Sequence, residues 1–237
     1  MDAASIIRKL RAAANPANVE GMARFGIRST TALGVGMPLL RAIARETGKN
    51  HELAQELWSS GILEARILAA FIDEPRRVTA RQMDRWARDF ENWADCDGVC
   101  LHLFVRTPLA HQKVASWCRR RAEFVKRAGF TLLACLTVHD KAAPDEYFIA
   151  ALPLIEAGAT DERNFVKKAV NWALRQIGKR NARLNAEAIR CAERLRAMDS
   201  RAARWVAADA LRELRRCPAA SLRRGAPARR PAAGPKP

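Results

Sequence analysis

The pentapeptide Phe124-Val125-Lys126-Arg127-Ala128 returns 41 positions later as Phe165-Val166-Lys167-Lys168-Ala169. A fainter echo, Asn171-Trp172-Ala173-Leu174 against Ala208-Asp209-Ala210-Leu211, is offset by 37. Apolar residues recur at three- and four-residue spacing almost throughout, which is the period of a helix face. Two helices per unit of about 40 residues is the mark of a HEAT- or armadillo-like stack, in which each pair buries its apolar face only against its neighbours. The chain is therefore read as all-α, a single helical-repeat solenoid over residues 1–214. Helices are predicted at 3–14, 16–25, 38–47, 49–59, 62–72, 79–91, 95–106, 109–119, 123–139, 145–157, 162–179, 182–197 and 200–214. Only short runs such as Thr131 to Val138 would also suit a strand. Breaks fall at Gly48-Lys49-Asn50, Asp73-Glu74-Pro75 and Gly158-Ala159-Thr160-Asp161, where glycine, proline and capping residues gather.

Such a stack curves, and its concave face suits a rod such as duplex DNA. The basic charge favours an anionic polymer or an anionic membrane surface as partner and does not by itself choose between them. The 237 residues carry a formal +17, and 49% hydrophobic content allows a substantial core without disulfides or metal. Seven basic residues and no acid lie between Arg215 and Pro237, so the rest still carries +10. That segment, 215–237, is predicted to be a disordered Pro/Ala/Arg tail. Asp2 stands where a signal peptide needs basic charge, and no apolar run reaches membrane-spanning length, so a cytoplasmic protein with reduced cysteines and no membrane partner is expected. Cys96, Cys100 and His102 lack the C-x-x-C pair of a zinc site, and no metal or cofactor is expected. Gly34-Val35-Gly36, followed by Pro38, is read as a turn leading into a helix, because no strand precedes it and no Lys-Ser/Thr follows.

Aromatic and charged residues share helical spacing in three places, one of them Phe124-Val125-Lys126-Arg127. Trp86, Phe90 and Trp93 lie at i, i+4 and i+7, usually a core stripe. Asp97, four beyond Trp93, shares that residue's face if the helix is continuous; the other reading makes Asp95 or Asp97 a cap of the helix that follows. Further on, Lys168, Trp172 and Arg175 form a stripe distinct from Phe165, Ala169, Ala173 and Ile177. Trp172 then either packs at a repeat junction or belongs to a binding face.

These segments resemble the AlkD-like DNA alkylation repair enzymes, helical-repeat proteins that remove alkylated purines. The resemblance spans roughly residues 16–214. It is carried by the Gly26–Pro38 loop, Trp93-Ala94-Asp95-Cys96-Asp97, Phe124 to Ala128, and above all Asn164-Phe165-Val166-Lys167-Lys168-Ala169-Val170-Asn171-Trp172-Ala173-Leu174-Arg175. It implies Trp93, Asp97 and Trp172 as catalytic residues and Arg127, Lys168 and Arg175 as phosphate contacts. The implied partner is double-stranded DNA containing alkylated purines, and a monomer is expected. A purine alkylated at N3 or N7 is cationic and leaves without protonation. A carboxylate then needs only to stabilise the oxocarbenium-like sugar and position a water. Two other readings are a catalytically inactive relative that binds distorted or branched duplexes, and a HEAT-like protein-interaction scaffold.

Overall fold

The computed structural model describes residues 1–216; the segment read as a basic tail lies, from residue 217 on, outside the described residues. Thirteen α-helices and one 3-10 turn make up the described chain, with no strand among those residues. They are α1 Ala3–Ala12, α2 Pro16–Arg24, α3 Met37–Thr47, α4 His51–Ser59, α5 Leu63–Ile72, α6 Ala80–Arg88, α7 Trp93–His102, α8 Ala110–Trp117, α9 Glu123–His139, α10 Asp145–Ala159, α11 Asn164–Gly178, α12 Ala182–Ala197 and α13 Arg201–Leu214. From α3 onward the odd-numbered helices pack side by side in chain order, and α4, α8, α10 and α12 back them. This is the predicted two-layer helical-repeat solenoid. No described helix is long and apolar enough to cross a membrane.

The repeat period reappears as rungs between neighbouring inner helices. Arg127 reaches the Phe165 carbonyl, Lys167 lies 5.2 Å from the Trp205 ring, Asn171 donates to Asp209, and Arg175 meets Glu213. Each rung joins residues 38 apart, so the near-40 period of the sequence is the distance from one inner helix to the next.

The apolar run Thr131–Val138 is helical because α9 sits mid-stack and is walled by α7, α8 and α11. All residues from Ala128 to Thr137 are buried, and in that setting β-branched preference loses to burial on every side. The predicted 79–91 helix stops at Arg88, and α7 starts at Trp93 because Asn92 caps it in a reciprocal box with Asp95. Trp86 and Phe90 are core, with Trp58 stacked on Trp86 at 3.9 Å. Trp93 is instead the first residue of the next helix.

Residues 33–35 show why the glycine-rich loop cradles no phosphate of its own accord. The buried Glu64 carboxylate accepts from the backbone N–H groups of Leu33, Gly34 and Val35 at 2.6–3.3 Å. Gly34 has φ +75°, and a Cβ there would lie 2.2 Å from the Asn15 carbonyl oxygen. Glu64→Ala would leave these donors short of a partner and is expected to cost about 2–4 kcal/mol. Urea denaturation measures it; a loss below about 1 kcal/mol would mean the loop does not depend on this carboxylate.

Candidate active site

The reciprocal cap at Asn92 decides which acid does what. Asp95 is buried and spends its oxygens on the N–H groups of Glu91, Asn92 and Cys96, so it is the acid of the capping box. Asp97 is left off that network, one turn beyond Trp93 on α7 and about a fifth exposed.

Arg127 on α9 holds Asp97 with two donors, Nε to Oδ1 at 2.9 Å and Nη2 to Oδ2 at 2.6 Å. Thr131, one turn further along α9, donates its hydroxyl to the same Oδ1 at 2.9 Å. A carboxylate oxygen offers two lone pairs, so Oδ1 is saturated while Oδ2 keeps one acceptor position. Burial opposes the charge on Arg127, but the Asp97 carboxylate outweighs it and holds the guanidinium pKa above its ordinary value. The third contact of Arg127, Nη1 to the Phe165 carbonyl at 2.6 Å, ties the pair to α11.

This placement corrects the expectation of a phosphate-holding Arg127. The side chain is buried, and all three contacts are internal, because the start of α11 closes over the N-terminal half of α9. Arg175 likewise departs from a free phosphate arm: its guanidinium meets Glu213 and lies 3.7 Å from Asp209, both on α13. Lys168 is exposed, with no ion pair among the described residues. Trp172 is half-buried against the core, between the two roles left open for it; Ala169, Ala173 and Ile177 on the other stripe are buried.

One neighbour of the corner carried no signal in the sequence. Trp93 Nε1 donates to the carbonyl of Phe25 at 2.9 Å, and Phe25 itself is 75% exposed, the most open large apolar side chain described. Gly26, at φ +79°, lets the chain turn against Phe165, whose ring a Cβ would approach to 3.2 Å. Phe25 is 68 positions from Trp93, so no local pattern could pair them. Thr131 was within reach of helical spacing, four beyond Arg127. An open cleft of about 490 Å³ runs beside this corner, lined by Val19, Ala23, Ile27, Arg28, Ser29, Thr30 and Glu91.

Cysteine chemistry finds no place here. The five described cysteines are buried, and burial pushes the Cys118 and Cys191 thiols up to about 12. Cys96 and Cys100 turn their thiols to the Phe124 and Ala128 carbonyls, and no cluster of three metal-ligating side chains occurs among the described residues.

A family model described as DNA alkylation repair enzyme matches residues 6–220. The chain belongs to that family. Among solved structures it is similar to one described as a new family of proteins related to the HEAT-like repeat DNA glycosylases with affinity for branched DNA structures. The likeness has a TM-score of 0.75 at 19% identity and covers 95% of this chain and 99% of the other, which shows a shared fold. No curated protein matches. Membership gives the chain a DNA-repair setting.

Proposed function

We propose that this protein is a monofunctional DNA glycosylase that hydrolyses the N-glycosidic bond of cationic N3- or N7-alkylated purines in duplex DNA. The observation that carries the reading is Asp97: three donors set its orientation, yet Oδ2 retains one acceptor position. That oxygen is the atom available to stabilise positive charge developing on the sugar and to accept a proton from an attacking water. Arg127 and Thr131 act through Asp97, as positioning residues. The Trp93 and Trp172 indoles, and the exposed Phe25 ring, offer apolar faces to a cationic base, each indole worth about 0.5–2 kcal/mol where water is excluded. Lys168 is the phosphate contact that the free protein leaves available, while Arg175 would have to part from Glu213 to serve.

Trp172→Ala is expected to lower excision of N7-methylguanine about ten- to thirtyfold, the loss of one cation–π contact. Affinity for undamaged duplex should fall less. Since the indole is half-buried, stability should drop by about 2 kcal/mol, under the full cost of a core tryptophan. A variant that melts far below wild type while its folded fraction excises at full rate would make Trp172 a packing residue.

A second reading is favoured by two observations: the similar structure belongs to a family with affinity for branched DNA, and Arg127 partly neutralises Asp97. It holds that the same face binds branched DNA without chemistry. Incubation with duplex carrying one N7-methylguanine, followed by assay for free base and abasic sites, separates the two. Base release at enzyme-dependent rates supports the glycosylase; tight binding of a four-way junction without release supports the binder.

A further inference from the structure

The chain has four histidines, and they divide into two kinds. His51 meets the Asp73 carboxylate at 2.6 Å and His111 meets Asp140 at 2.8 Å. Among the described residues the His102 and His139 side chains have no hydrogen bond or ion pair, and the charges facing them are all of one sign. Around His102 stand Arg106 from the 3-10 turn Phe104–Arg106, Arg41 from α3 and His139 from α9; the Phe71 ring of α5 abuts it edge-on at 4.7 Å. Around His139 stand Arg106 and Lys141, while its sequence neighbour Asp140 turns away to His111. Arg106 also faces Lys49, whose ammonium caps α5 through the Phe71 and Asp73 carbonyls and has Asp73 and Glu74 as the nearest acids. Arg41 and Arg106 are exposed, and neither has an ion pair among the described residues.

These side chains gather where the C-terminal ends of α7 and α9 adjoin, with α3 and α5 alongside. The end of a helix would by itself favour a protonated histidine. Here burial and then the neighbouring cations hold both imidazoles below the ordinary histidine pKa, Arg106 being the largest charge on each. Arg41, Arg106 and Lys141 thus place positive charge around the two histidines, with no acid among the charges facing them. Such a patch is complementary to a polyanion, which would relieve the repulsion and welcome two more protons.

We propose that Arg41, His102, Arg106 and His139 form a second phosphate-binding strip, separate from the Trp93–Asp97 corner, that grips the backbone of duplex DNA more tightly as pH falls. The strip deepens the DNA-directed reading above and rests on it only for the partner. Nine residues separate Trp93 from His102 and twelve separate Arg127 from His139, about 14 and 18 Å along the helix axes. That reach is comparable with the roughly 12 Å width of the major groove, so strip and corner can engage phosphates on different strands.

The sign follows from linkage. The free protein holds these imidazoles neutral near pH 7, the bound state protonates them, and each proton taken up adds to affinity as pH drops. Fluorescence anisotropy on an undamaged duplex of 20–30 base pairs, between pH 5.5 and 8.0 and across a salt series, tests this. Wild type should bind about tenfold or more tightly at pH 5.5 than at 7.5. His102→Gln/His139→Gln should flatten that dependence, and Arg41→Ala/Arg106→Ala should lower the log–log salt slope by about 2, near 0.9 for each phosphate contact. Should the half-buried His102 prove intolerant of change, His139→Gln alone should remove about half of the pH dependence. A pH-independent wild-type affinity, a dependence that survives the histidine substitutions, or an unchanged salt slope would overturn the strip. Single-turnover excision of N7-methylguanine by the wild-type protein at saturating concentration tests the glycosylase separately. Absence of excision in wild type would count against the glycosylase and leave the pH and salt results to judge the strip.

Discussion

Asp97→Asn is expected to lower single-turnover excision of N7-methylguanine by about 10²–10³ while duplex binding is kept. Asparagine preserves the shape of the side chain, but its amide cannot carry the full negative charge that opposes a developing oxocarbenium, and one of its two termini is now a donor. Binding should persist or tighten slightly, because the substitution removes a negative charge from a basic protein. The cost to folding should be about 1–2 kcal/mol, since Arg127 keeps the Phe165 carbonyl and an amide oxygen. Three measurements separate chemistry from structure: excision rate at saturating protein, duplex affinity and thermal midpoint. Wild-type excision by Asp97→Asn would reduce Asp97 to a partner for Arg127 and remove the proposed mechanism.

Arg127→Ala is the second large effect, and it reaches both stability and activity. Breaking a buried ion pair by removing one partner costs about 3–5 kcal/mol, because the remaining charge keeps its desolvation without compensation. Asp97 is about a fifth exposed, so the lower end applies, about 3 kcal/mol, or a fall in Tm of roughly 6–12 °C. The Phe165 carbonyl loses its donor as well, loosening α9 from α11 at the corner. Excision should drop about as far as in Asp97→Asn, because the carboxylate is no longer held. Arg127→Lys discriminates: it restores charge and most of the stability but lacks the planar two-pronged donor, so excision should stay at least tenfold low. If Arg127→Lys excised at the wild-type rate, Arg127 would be a counter-charge only and the proposed orientation of Asp97 unnecessary. A double-mutant cycle on Asp97 and Arg127 should show strong coupling in stability, since the two share two hydrogen bonds.

Much of the architecture was readable in one dimension because its determinants are local or periodic. Helix existence followed from three- and four-residue spacing, and α9 and α12 begin and end at the predicted residues. The near-40 repeat announced a stack, since units that cannot bury their own apolar face must recur. Asn15, Asn50, Thr79, Asn181 and Ser200 cap helices close to where the breaks were placed. On α11, Ala169, Ala173 and Ile177 are buried and Lys168 is exposed, whereas Phe165 and Trp172, on different stripes, are both half-buried.

What spacing could not supply was the partner of each charge. Arg127 and Arg175 look alike as cations on a basic chain, yet one is enclosed by Asp97 and Phe165, 30 and 38 positions away, and the other ends on Glu213. Asp95 and Asp97 are two residues apart with opposite fates, because Asn92 captures one as a cap and the geometry between α7 and α9 claims the other. Phe25 meets Trp93 only because a glycine at positive φ turns the chain across the start of α11. The class of fold, its repeat, its basic character and the residue types worth watching all follow from periodicity or composition, and so are legible along the chain. Which cations are paired and which acid keeps an open acceptor emerges from the packed helices alone, because an ion pair depends on where two distant helices bring their side chains.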